Sequence, residues 1–234
     1  MSLHSLVLAR MDALDGADRE ALQAASVLGQ RFTLDALRHL HGDGNYTCDS
    51  LINHLMVRPD NGAFLISHAL IRDGVYASLL NTSKRALHTK AAQFFHNRDP
   101  VLHAEHLERA GDPGAAAAWS SAAKSLAERY RDARAAEAVK RGLLVAESDV
   151  DRFALTCFSG DLQRRLGDPS DSESMFQQAL ELASTDPQRC QALIGIAAAD
   201  RLLARDDDGV QALDRAQPNV GSATSISPRS KFYS

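Results

Sequence analysis

The chain has 234 residues, 44% hydrophobic but only 6% aromatic, with a net charge of −4; that suffices for one large domain or two small ones, and an interior rich in Ala and Leu suits packed helices better than sheets. The acidic balance removes the electrostatic case for nucleic acid or an anionic membrane as partner. Cys48, Cys157 and Cys190 form neither a CxxC pair nor a disulfide frame, no run of about 18 apolar residues could span a bilayer, and no signal-peptide pattern opens the chain, which together point to a reducing cytoplasm.

In chain order, residues 5–14 have the spacing of an amphipathic helix, with Leu6, Val7, Met11 and Leu14 in line. DGAD interrupts it. Asp18 is placed to cap a second helix over 19–29, with Leu22, Ala25 and Leu28 inward and Gly29 at its end. Thr33 is placed to cap a third over 34–41, carrying Leu34, Leu37 and Leu40. HGDGNYT is a loop by composition. A fourth helix is expected over 49–57, presenting Leu51, Ile52, Leu55 and Met56. RPDNG signals a turn and AFLIS a strand; a lone strand needs a partner, so a second is expected near 57–59. Short helices followed by a turn-and-strand element are the pattern of a winged helix.

From Ala69 onward every element reads as helix. One spans 69–80. Thr82 is placed to cap the next, which runs to about His96 with Leu87, Ala91, Phe94 and Phe95 on one face. Asp99-Pro100 opens another that ends at RAGDPG. Beyond it the chain matches itself at a shift of 37 residues: Ala123, Gly160 and Ala197 align, as do Ala135, Ser172 and Gly209, and Gly142, Ala179 and Ala216. All nine are small, while Val139, Phe176 and Leu213 form a bulky apolar column between them. Small residues at fixed offsets let paired helices approach closely, with one larger side chain filling the gap, as in stacked helix hairpins.

These offsets resemble a tetratricopeptide repeat with three extra residues per unit. In WSSAAKSL, the residues Trp119, Ala122, Ala123 and Leu126 resemble that family's first-helix pattern, and Gly160, Gly167, Phe176 and Ala179 fit a second unit. The third, over 186–217, is degenerate, with Asp200 at an apolar position. The segments LQAASVLGQRFTLDAL, FLISHALIRDGVYASLL, SKRALHTKAAQFF and HAEHLERAGDPGAAAAWSSAAK resemble the region after the ATPase module in bacterial STAND-type signalling proteins, some of which carry an adenylate or guanylate cyclase domain or a LuxR-type DNA-binding domain. The resemblance implies a winged helix followed by helical repeats. Within it, SHALIRD resembles an M-H-D-L-x-R-D stretch whose histidine faces bound ADP. His68 matches that histidine, with Ser67 and Ala69 replacing its neighbours, and is thereby implied as a nucleotide sensor acting only with an ATPase domain that these 234 residues lack. The residues alone favour reading His68 as a half-buried histidine closing a helix start.

No GxxxxGK[ST] loop is present to cradle a triphosphate, and no G-x-S-x-G or other nucleophile setting occurs, so no catalytic residue is assigned. The expected reading helix, DSLINHLMV, holds no Lys or Arg, and residues 17–80 carry five Arg, no Lys and seven acids, a poor surface for DNA. His103 and His106 share a helix face but lack a third ligand, so no metal is expected. Lys84, Arg85 and Lys90 read as a solvated face or as a contact for a nucleotide domain.

The expected fold is predominantly all-α: a winged-helix domain with a small β-wing and an N-terminal helix over 1–80, connecting helices over 81–112, tetratricopeptide-like repeats over 113–217, and a linker or disordered tail over 218–234. The expected function is that of a non-catalytic, cytoplasmic region of a larger STAND-type signalling protein of adenylate cyclase-like kind. It would bind no cofactor, nucleic acid or membrane. Its partners would be a protein effector held by the repeats and the nucleotide-binding domain of the same protein. The alternatives are a free-standing tetratricopeptide adaptor and a fragment of a LuxR-type transcriptional regulator.

Overall fold

The computed structural model describes residues 11–204, together with Gln211 and Arg215. It is mostly helical with one small antiparallel sheet, and its packing divides the chain into two compact units, Met1–Asp151 and Arg152–Ser234. Of the helix expected over 5–14, residues 5–10 lie outside the described residues; Met11 and Leu14 are buried.

The first unit opens with α1 (Gly16–Leu28). Its cap is Asp15, not the expected Asp18: the Asp15 side chain accepts the Asp18 N–H at 2.7 Å. Asp18 lies one turn inside, buried, where its carboxylate accepts the Tyr46 hydroxyl at 2.7 Å. Gly29 ends the helix at a φ of 119°, which a side chain would resist. A two-residue strand follows, β1 (Arg31–Phe32), too short to announce itself by alternation. Thr33 caps α2 (Leu34–His41) by accepting the Ala36 N–H at 3.3 Å.

The next helix, α3 (Asp49–Asn53), stops well short of residue 57. Leu55 takes a φ of 56° and is 67% exposed, so it leaves the apolar face expected of it, while Met56 turns inward. The chain then enters β2 (Val57–Asp60) and returns in β3 (Ala63–Ile66). Asn61 and Gly62, both at positive φ, form the two-residue turn that matches strand twist. Thus only the last two residues of RPDNG turn; the first three are strand. The register pairs Val57 with Ile66 and Asp60 with Ala63, while β1 pairs on the other edge of β3, Arg31 with Leu65 and Phe32 with Phe64. Leu22, Leu37, Leu51, Val57, Ile66 and Val75 form the core beneath this sheet.

Next come α4 (Ala69–Ser78), α5 (Asn81–Phe95) and α6 (Pro100–Ala110). Leu80, not Thr82, is the N-cap of α5. Asp99 caps α6 as expected, accepting the Val101 and Leu102 N–H groups at 2.9 and 3.0 Å. The hairpin α7 (Ala115–Glu128) and α8 (Asp132–Val145) completes the first unit, and α9 (Asp149–Leu166) begins at its end.

The second unit continues with α10 (Pro169–Leu182) and α11 (Asp186–Leu202). The repeat columns prove to be its packing positions and those of α7 and α8. Ala123, Ala135, Val139, Gly142, Gly160, Ser172, Phe176, Ala179 and Ala197 are all buried. Gly209, Leu213 and Ala216, like the expected tail over 218–234, lie outside the described residues. The Phe176 ring is seated between Gly160 of α9 and Gly195 of α11, and a Cβ at either glycine would overlap it.

Candidate functional site

His68 stands where β3 hands over to α4. The Ser67 N–H donates to the Met56 carbonyl at 2.9 Å, closing the hairpin, and His68 follows in extended conformation as the N-cap of α4. Its carbonyl accepts the Ile71 and Arg72 N–H groups at 3.0 and 3.3 Å. Its imidazole makes no capping hydrogen bond and is exposed, as are Ala69 and Leu70 beside it. A helix start of this kind offers unpaired N–H groups and a partial positive charge to an anion.

The arginines of this region are largely engaged. Arg31 pairs with Asp60 at 2.9 Å and Arg72 with Asp73 at 2.6 Å. Arg19 donates to the Met11 and Leu14 carbonyls, and Arg38 to that of Tyr46 at 2.9 Å. Two cations of the basic stretch of α5 also make contacts within their own unit, while Arg85 stays exposed: Lys84 lies 5.0 Å from the centre of the Tyr76 ring, and Lys90 donates to the Leu40 carbonyl at the end of α2.

Sequence reasoning missed a buried histidine pair. His88 of α5 and His106 of α6 are 0% and 3% exposed, with their Nδ1 atoms 2.9 Å apart. One must donate and the other accept, so the accepting ring is neutral. His88 Nε2 meets the Tyr76 hydroxyl of α4 at 3.0 Å, and the Phe95 ring stacks on His106. Burial, then His106 and Arg109, push His88 down to about 3. Burial, then Arg109 and His103, push His106 down to about 4. His103 does not join His106 in a metal pair. It faces His96 at 3.2 Å and, through Nδ1, donates to the Ala92 carbonyl at 2.9 Å. Among the described residues no three His, Cys, Asp or Glu converge as metal ligands.

One turn further along the array, Trp119 of α7 is buried and donates Nε1–H to Glu108 of α6 at 2.7 Å. Arg141 of α8 pairs with the same carboxylate oxygen at 3.0 Å and lies 4.2 Å over the indole. Three helices thus meet on one tryptophan, the residue that opens the first repeat. Among the described residues no helix is long and apolar enough to cross a membrane.

No family model matches the chain, and no curated protein matches it. Solved structures do. A Signal Transduction ATPase with Numerous Domains (STAND) protein with a tetratricopeptide repeat sensor, from Pyrococcus horikoshii, superposes with a TM-score of 0.66 over 93% of this chain at 13% identity. The match covers 34% of that protein, so the chain spans about a third of its length. At that identity the likeness is one of fold: a tetratricopeptide-like helical array with a small β-region.

Proposed function

We propose that this chain is the non-catalytic, cytoplasmic regulatory arm of a larger STAND-type signalling ATPase. In this reading residues 1–80 are a winged helix, 81–112 connecting helices, and 113–217 tetratricopeptide-like repeats that receive a protein partner. The carrying observation is the fold likeness over 93% of the chain to a STAND protein with a tetratricopeptide repeat sensor. The order α1-β1-α2-α3-β2-β3, with the sheet order β1-β3-β2, supports a winged helix, the Asn61-Gly62 hairpin being the wing.

With no phosphate-binding loop in the sequence, nucleotide would be held by another domain of the protein. His68, exposed at an uncapped helix start, would reach that nucleotide. Four of the five arginines of residues 17–80 are engaged within the fold, Arg58 of β2 being the exception, which leaves few free cations for the phosphate contacts a DNA reader needs. An adenylate cyclase-like output domain is the finer form of this proposal.

The test is calorimetry with Mg-ATP on the chain alone and on the full product of its natural gene. The expected result is no heat from the chain and saturable binding by a product that carries an upstream phosphate loop. Micromolar ATP binding by the chain alone, or a natural product that ends at these residues, overturns the proposal.

A further inference from the structure

Three helices of the array end in the same turn geometry. After α6, the Gly111 N–H donates to the Glu108 carbonyl and the Asp112 N–H to that of Leu107. After α9, Gly167 and Asp168 donate to Arg164 and Gln163 in the same way. After α7, Tyr130 and Arg131 repeat the pattern onto Ala127 and Leu126. The turn needs a positive φ, and the first two supply it with glycine at 68° and 87°. The third holds Tyr130 at 57°, a conformation that a bulky residue resists. Burial of the side chain does not repay this, because Tyr130 is 89% exposed.

The same tip is arginine-rich. Between residues 128 and 134 the chain carries Arg129, Arg131 and Arg134 against Glu128 and Asp132, while over the whole chain acids outnumber bases. Arg129, Arg131 and Arg134 are all exposed around Tyr130. None of the three guanidinium groups forms an ion pair or side-chain hydrogen bond among the described residues. This contrasts with Arg141 of α8, which is committed to Glu108. Arginine and tyrosine are the residue types that carry binding energy at protein interfaces.

We propose that the α7–α8 tip, Tyr130 with Arg129, Arg131 and Arg134, is a docking site for an acidic segment of a partner protein. The guanidinium groups take carboxylates, for which their planar fork is suited, and the tyrosine ring covers an apolar residue between them. Charge complementarity favours a short acidic peptide over nucleic acid, because the basic surface is confined to one hairpin tip of an acidic chain. This assignment is independent of nucleotide coupling.

The probe is a fluorescent peptide of about 15 residues repeating Glu-Asp-Leu, long enough to cross the tip, titrated onto the whole chain by anisotropy. Its controls are the Gln-Asn-Leu analogue and an oligothymidylate of similar length. Salt-dependent binding of the acidic peptide alone is expected. Arg129→Glu/Arg131→Glu/Arg134→Glu should weaken it by at least about tenfold, the scale of a lost charged contact. Tyr130→Gly, which suits the turn better, should keep or raise the melting temperature yet weaken binding severalfold. Equal affinity for the Gln-Asn-Leu peptide, tighter binding of the oligothymidylate, or undiminished binding by either variant overturns the assignment.

Discussion

His88 and His106 show how much a single buried pair can impose on pH behaviour. Unfolded histidine titrates near 6.5, and in the fold these two are held down at about 3 and about 4. Folding therefore favours their neutral forms. Their contribution is full above about pH 6.5 and is lost as pH falls toward 4 and then 3. The groups facing them are Tyr76 from α4, and Arg109 and His103 from α6; the arginine opposes protonation further. We expect the melting temperature to drop steeply between pH 7 and pH 4.5, and unfolding at pH 5.5 to take up about two protons from this pair. In His88→Leu/His106→Leu that uptake should vanish. An unchanged uptake in the double variant would show that the pair titrates freely in the fold.

This pair also marks what was and was not legible at single residues. The spacing of His103 and His106 puts both on one face of α6, but each meets a different partner, His96 and His88. Spacing along one helix cannot say what the facing helix presents. Likewise Asp18 has the chemistry of a cap, yet Asp15 takes that role one turn earlier and leaves Asp18 free to bind Tyr46, a contact 28 residues away in sequence.

At the scale of elements, the repeat is governed by the room that glycine leaves. Phe176 is pinned between Gly160 and Gly195, so its ring cannot move away from a new methyl on either side. Alanine in mid-helix is intrinsically favoured over glycine by about 1 kcal/mol. Overpacking of a closed core costs about 1–3 kcal/mol, and here it should win. Gly195→Ala is expected to lower stability by about 1–2 kcal/mol in denaturant titration. Adding Phe176→Leu should recover part of that loss, because the smaller side chain vacates the methyl's position. A stabilised Gly195→Ala chain would mean that the ring is not held as described.

The shift of 37 residues found Gly160 and Phe176 but not Gly195, which is aligned with Phe158 one unit earlier. Gly195 is small because of a neighbour, not because of the repeat. The strands follow the same logic. The β2–β3 hairpin was legible from Asn61-Gly62 and the apolar run after it, whereas β1 has two residues and is strand only because β3 offers it an edge. The end of α3 was not legible either, because Leu55 is apolar by type but is turned out by the backbone of the approaching strand.

At the scale of the whole molecule, the α-helical class and the small sheet follow from composition and periodicity, whereas any role for His68 depends on what lies beyond this chain. If His68 holds nucleotide in a larger protein, it makes a contact in the nucleotide-bound closed state that the open state lacks, and only such a difference can bias a switch. A hydrogen bond to a charged phosphate is worth about 1.5–3 kcal/mol, which corresponds to a shift of roughly tenfold to a hundredfold in the closed-to-open ratio. His68→Ala in the full protein should therefore speed ADP release by up to that factor and raise basal activity. In the chain alone the same change removes an exposed imidazole that caps nothing, so its stability should move by no more than about 0.5 kcal/mol. The pair of measurements separates the two roles of the residue. A chain that melts much earlier on mutation, together with unchanged ADP release in the full protein, would make His68 a structural residue of the strand-to-helix junction and nothing more.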